Sequence, residues 1–192
     1  MGGLIGWTRK GALRPPAAAR PQTAFRMIQV GHLHVGLWMH SERDPSAEEW
    51  TASCRAFRKL RESCGESTGT LRSLIVSDGG GPNSQQRAQF FREAQITQYP
   101  TAVITNALDN PIKRGIATAI SWTNPRFRAF DPERWWQAFQ HVGLADKIAR
   151  VWSELAELQA QLPPNQTFQL IASAQSAESL RRTSSRARPA GA

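Results

Sequence analysis

A chain of 192 residues, 40% hydrophobic and 20% charged, has the make-up of one globular domain with tails. No run approaches the ~18 apolar residues of a membrane-spanning helix, and two cysteines, Cys54 and Cys64, cannot form a zinc site alone. Residues 1–23 carry +4 of the +9 net charge and residues 176–192 carry +3, which leaves +2 for residues 24–175. The folded part therefore lacks the electrostatic footprint of a specific nucleic-acid binder.

Residues 1–23 are rich in Gly, Ala, Pro and Arg without apolar period and read as a disordered basic extension. Phe25–Val30 and Leu33–Met39 read as two strands joined at Gly31 in a hairpin. Asp44-Pro45-Ser46 opens a helix to about Ser63, with Trp50, Cys54, Phe57, Leu60 and Cys64 on its apolar stripe. Both thiols are expected to be buried, which suits a reducing cytoplasm.

Leu71–Val76 is a strand, followed by the loop Ser77-Asp78-Gly79-Gly80-Gly81-Pro82-Asn83. Ser84 to Gln95 is a helix with Ala88, Phe91 and Ala94 recurring at spacings of three, and Thr101–Thr105 is a strand rich in β-formers. Asn110-Pro111 combines a cap with a first-position proline and starts a helix with the stripe Ile112, Ile116, Ala119 and Ile120. A short strand, Arg126–Phe130, precedes a second such signal, Asp131-Pro132, and a helix with Trp135, Phe139 and Val142 on one face.

Strands alternating with helices predict an α/β domain over residues 24–144, with four or five mostly parallel strands flanked by helices. Residues 145–175 read as a C-terminal helical extension. Its stripe of Ile148, Val151, Leu155, Leu158 and Leu162 over 145–162 packs on the domain or forms a homodimer seam. Residues 176–192 read as a disordered basic tail.

In such sheets ligands bind beyond the carboxyl ends of the strands. The loops leaving those ends run His40 to Ser46, Ser77 to Ser84 and Asn106 to Asn110. Their candidate interaction or phosphate-binding residues are Ser77, Asp78, Gly79, Gly80, Gly81, Asn83, Ser84, Arg87, Asn106, Asp109 and Asn110. Consecutive glycines ahead of a helix N-terminus would offer bare amides to an anion, or serve only a sharp turn needing positive φ. His32, His34 and His40 share one side of a strand and its extension, and read as sheet-face residues rather than metal ligands. Trp136 and Trp152 read as the edge of the core, or together with Trp122 as an exposed aromatic patch. A Ser/His/Asp site from Ser84, a histidine and Asp78 or Asp109 lacks any nucleophile motif.

The run Leu74-Ile75-Val76-Ser77-Asp78-Gly79-Gly80-Gly81-Pro82-Asn83 with Gln86-Arg87, and the strand Thr101-Ala102-Val103-Ile104-Thr105, resemble the bacterial SpoIIAA-like group of the STAS superfamily. The stretch Arg114-Gly115-Ile116-Ala117-Thr118-Ala119-Ile120-Ser121-Trp122 and the strand around Phe127 extend the resemblance across residues 24–144. It implies a small sheet flanked by helices and a non-enzymatic signalling role in binding a kinase or regulator, without a cofactor. The family's phosphorylated Ser or Thr would correspond to Ser77 or Ser84, although neither stands in the usual Asp-Ser-x-Gly context. A site for a lipid-like or nucleotide ligand is the alternative function, and a hydrolase or transferase the third.

Overall fold

The computed structural model describes residues 20–64, 68–94 and 98–186. Its strands are β1 (Thr23–Val30), β2 (Leu33–His40), β3 (Leu71–Ser77), β4 (Thr101–Thr105) and β5 (Phe127–Phe130). Its helices are α1 (Ala47–Ser63), α2 (Ser84–Ala94), α3 (Pro111–Thr123), α4 (Trp135–His141), α5 (Ile148–Gln159) and α6 (Gln166–Arg186). The expected α/β architecture is present: one five-stranded sheet in the order β1-β2-β3-β4-β5, antiparallel at β1–β2 and parallel elsewhere.

Local signals set the helix starts. Ser46 and Glu49 form a reciprocal capping box at α1. The Asn110 side chain accepts the Ile112 and Lys113 amides, with Pro111 at the first position of α3. Gly31, at φ +62°, turns the hairpin.

The period-2 alternation of the strands gives the sheet two different faces. One carries Leu37, Met39, Leu74, Val76, Ala102 and Ile104 and packs against α4, α5 and α6. The other carries Trp38, which packs with Trp50, Cys54, Phe57, Leu60 and Cys64 of α1 and its end, as the α1 stripe predicts. Burial raises both thiols, Cys54 to about 12.

In the C-terminal third the α5 stripe takes the first of its two expected arrangements, packing on its own domain, while the tail beyond it departs from expectation. Val151, Leu155, Leu158 and Leu162 are fully buried beneath the sheet of their own chain, so this stripe is core and is not available as a homodimer seam. Each such side chain contributes ~1.5–3 kcal/mol by burial, which makes residues 145–175 part of the domain rather than an appendage. Arg26 of β1 further ties Glu154 of α5, at 2.6 Å, and Glu157, while Arg150 holds the other Glu154 oxygen at 2.6 Å. A further helix, α6, runs from Gln166 to Arg186 where a disordered tail was expected from residue 176. Residues 187–192 and 1–19 lie outside the described ones. Residues 20–23 belong to the fold: Arg20 donates to the Leu162 carbonyl and Gln22 N–H to Glu49, and Thr23 opens β1.

Candidate ligand cleft

The three loops predicted to converge do so. Asp78 N–H donates to the His40 carbonyl at 3.1 Å and Gly80 N–H to the Ser41 carbonyl at 3.0 Å, which joins the β2 and β3 loops. On the other side, the Lys113 ammonium donates to the Gly79 carbonyl. The C-terminal helix joins them unexpectedly: Asn106 N–H donates to Thr167 Oγ1 and Asn106 Nδ2 to Gln166 Oε1, both at 3.2 Å.

The polar groups of the glycine loop are mostly consumed by the fold. Asp78 is the anchor of α6, its two carboxylate oxygens accepting the Gln166 and Thr167 amides at 2.7 Å each. Buried Ser77 donates its hydroxyl to the Gly80 carbonyl at 2.7 Å and accepts Gly79 N–H at 3.0 Å. The expectation of bare glycine amides fails. Gly79 N–H goes to Ser77, Gly80 N–H to Ser41, and Gly81 N–H to Asp44 Oδ1 at 3.3 Å. The glycines answer to geometry instead. Gly79 sits at φ +97°, and a Cβ on Gly80 would lie 2.3 Å from the Ser41 carbonyl oxygen and 2.4 Å from that of Arg43.

At the start of α2, Asn83 and Gln86 exchange backbone-to-side-chain bonds of 3.0 and 2.9 Å, a capping box that the glycine reading overlooked. Ser84 is exposed at the first helical position, and Arg87 donates to the Pro82 carbonyl at 2.6 Å. Asp109 is exposed just ahead of the Asn110 cap. Asp78 is committed to α6, and among the described residues no histidine is paired with Asp78 or Asp109. His40 Nδ1 lies 2.8 Å from Thr23 Oγ1, and burial lowers its pKa to about 4.

What the sequence did not disclose is a cavity of about 400 Å³ between this loop cluster, the sheet and the helices α2 and α3. Its floor is the second sheet face, with Ile75, Val103 and Ala129 in register across β3, β4 and β5. Phe90 and Arg87 line it from α2, Ile116 and Ile120 from α3, and Tyr99 from the segment before β4. It exists because the two helices do not close onto the sheet. Among residues 111–121 of α3 none is fully buried, and Ile112, expected inside, is 73% exposed. In α2 the expected inward residues Ala88 and Phe91 point out, Phe91 being 40% exposed, while Gln86 is buried and takes its place against α1. Its carbonyl accepts Trp50 Nε1–H at 2.8 Å, and its amide donates to the Pro45 carbonyl at 3.0 Å.

Of the two readings of the tryptophans, the core edge holds for Trp136 and Trp152. Trp136 and Trp152 pack against the α4–α6 core, Trp152 stacked on Phe168 at 4.6 Å, and the Trp122 side chain lies outside the described ones. Among the described residues no cluster of His, Cys, Asp or Glu has metal-binding geometry, and no helix is long and apolar enough to cross a membrane. Compared with known proteins, the chain matches no family model, no curated protein and no solved structure.

Proposed function

We propose that the protein is a non-catalytic binding module whose cleft between α2 and α3 holds a small molecule with an apolar body. The observation that carries this reading is the cavity itself. It falls in the ~300–1,000 Å³ range of small-molecule sites, opens at the carboxyl ends of parallel strands, and is walled by aromatic and aliphatic side chains. A binding rather than a catalytic role is supported by the state of the reactive side chains nearby: Ser77, Asp78 and His40 each have their partners within the fold. The STAS-like resemblance fits this reading, since the sheet, its hairpin and its flanking helices have the arrangement that resemblance implies.

A neutral fluorescent naphthylamine should bind the native protein and brighten. Ala117→Trp, which fills the cleft from a helix in which none of residues 111–121 is fully buried, should abolish binding while circular dichroism stays native. A wild-type protein that leaves such probes dark refutes the reading.

One observation favours a second role, docking of a protein partner such as a kinase or regulator. Ile112 and Phe91 are exposed apolar residues on the two helices that wall the cleft. Ser84 is an exposed hydroxyl at the start of α2 on which a phosphate would act, with Arg87 three residues on. Ile112→Asp should then weaken partner capture without affecting small-probe binding, and unchanged capture removes this role.

A further inference from the structure

We infer that the ligand of the cleft is a monoanionic amphiphile, an apolar chain or ring ending in a carboxylate-type head, with the head held by Lys113 and Arg87. The inference rests on the cleft being a ligand site and adds the chemistry of its occupant.

The charged residues on the cavity wall are Asp44, Arg87 and Lys113. Lys113 donates to the Gly79 carbonyl and Arg87 to the Pro82 carbonyl, so both cations reach the same loop. Among the described residues neither makes an ion pair. An ammonium has three N–H donors and a guanidinium five, and a neutral carbonyl satisfies each only in part.

Their placement also runs against helix electrostatics. Lys113 and Arg87 occupy the first turns of α3 and α2, where the dipole favours acids, and neither first turn contains one. In α1, which lines no such end of the cavity with charge, the first turn carries Glu48 and Glu49. Cations held where the helix repels them become favourable once an anion joins them. Since the glycine amides are spent, recognition of that anion falls to these side chains.

Charge counting selects the head. Two cations and Asp44 leave one positive charge, and His40 on the same wall is neutral at pH 7. A carboxylate balances this site, whereas a dianionic phosphate leaves a charge uncompensated against apolar walls. Direction follows from α3. Lys113 stands at the loop end and Ile120 roughly 10 Å further along at 1.5 Å per residue, so the apolar body runs away from the loops.

The test displaces a bound neutral naphthylamine with decanoate, decanol and decyl phosphate, using wild type, Lys113→Met, Lys113→Arg and the double variant Lys113→Met/Arg87→Met. Wild type should prefer decanoate over decanol by about tenfold or more, as a charge-assisted contact implies. Lys113→Met should lower decanoate affinity toward that of decanol and leave decanol unchanged, and Lys113→Arg should restore the preference. Equal binding of acid and alcohol by wild type overturns the inference, as does a preference surviving in the double variant or tighter binding of decyl phosphate than decanoate. A protein that binds the naphthylamine but not decanoate also overturns it, while one that binds no probe removes the cleft reading beneath it.

Discussion

Replacing His40 by glutamine removes an imidazole that is 4% exposed, with its ring 6.0 Å from that of Trp38 and 6.4 Å from that of Trp50. Burial lowers its pKa from 6.5 to about 4, opposed only by the negative charge of Asp44. Between those values the unfolded chain binds a proton that the native state refuses. Stability is therefore present above about pH 6.5 and is lost as pH falls toward 4. At ~1.36 kcal/mol per pH unit the whole interval is worth about 3 kcal/mol, a large part of the ~5–15 kcal/mol that holds a domain folded. Urea titrations from about pH 7.5 to about pH 4.5 should show this loss in wild type. His40→Gln keeps a hydrogen-bonding group for Thr23 but does not titrate, so its stability should be lower at neutral pH and much flatter with pH. Glu93 is held below its ordinary value first by a hydrogen bond from Gln89 and then by Arg58, and His40→Gln leaves that contribution in place. Parallel decline of wild type and His40→Gln would show that the imidazole is not the group responsible.

Asp78→Ala strips two 2.7 Å acceptors from the start of α6 and should cost about 2 kcal/mol. Hydrogen exchange of the α6 amides should accelerate first, and unchanged protection there would contradict the anchoring role. Gly80→Ala forces a Cβ onto the Ser41 and Arg43 carbonyls and should destabilise by about 1–3 kcal/mol or more, whereas Gly81→Ala, with open space around it, should be close to neutral. Equal midpoints for the two would refute the close-approach argument. Cys54, with its thiol pushed up to about 12 by burial, should react with alkylating reagents at pH 8 only as fast as the protein opens. Labelling that ignores urea concentration would place the thiol at the surface.

Features encoded within a few residues were legible in the sequence. Short runs rich in β-formers marked the five strands, and Asn110-Pro111 and Asp44-Pro45-Ser46 marked helix starts, where the structure shows Asn110 and Ser46 capping their own backbone. Features set by distant partners were not. Helix α6 has little apolar period. Among residues 166–177 only Thr167 and Ile171 are fully buried, and the helix is held at its start by Asp78, with 88 and 89 residues separating the bonded pairs. The inward face of α2 was misjudged because Gln86, a polar residue, finds partners in Pro45 and Trp50 that no spacing rule reveals. The candidate site was located to the right loops, but its chemistry was misassigned. Glycines chosen for a backbone close approach look the same in sequence as glycines chosen to bare amides. Lys113 was the readable signal passed over, a cation in the first turn of a helix without an acid there.

The strand order, which simply follows the chain, has a consequence for biosynthesis. As the polypeptide leaves the ribosome, each new parallel strand can join the edge left by the one before. The face bearing Leu37, Leu74, Val76 and Ile104 is roofed by α4, α5 and α6, which are made last. Until residues 148–171 have emerged, that face is incompletely covered by its own chain, and the nascent protein is at its most prone to aggregate or to need a chaperone. A premature stop after the last strand would therefore leave a chain holding every strand of its sheet and yet unable to shield it.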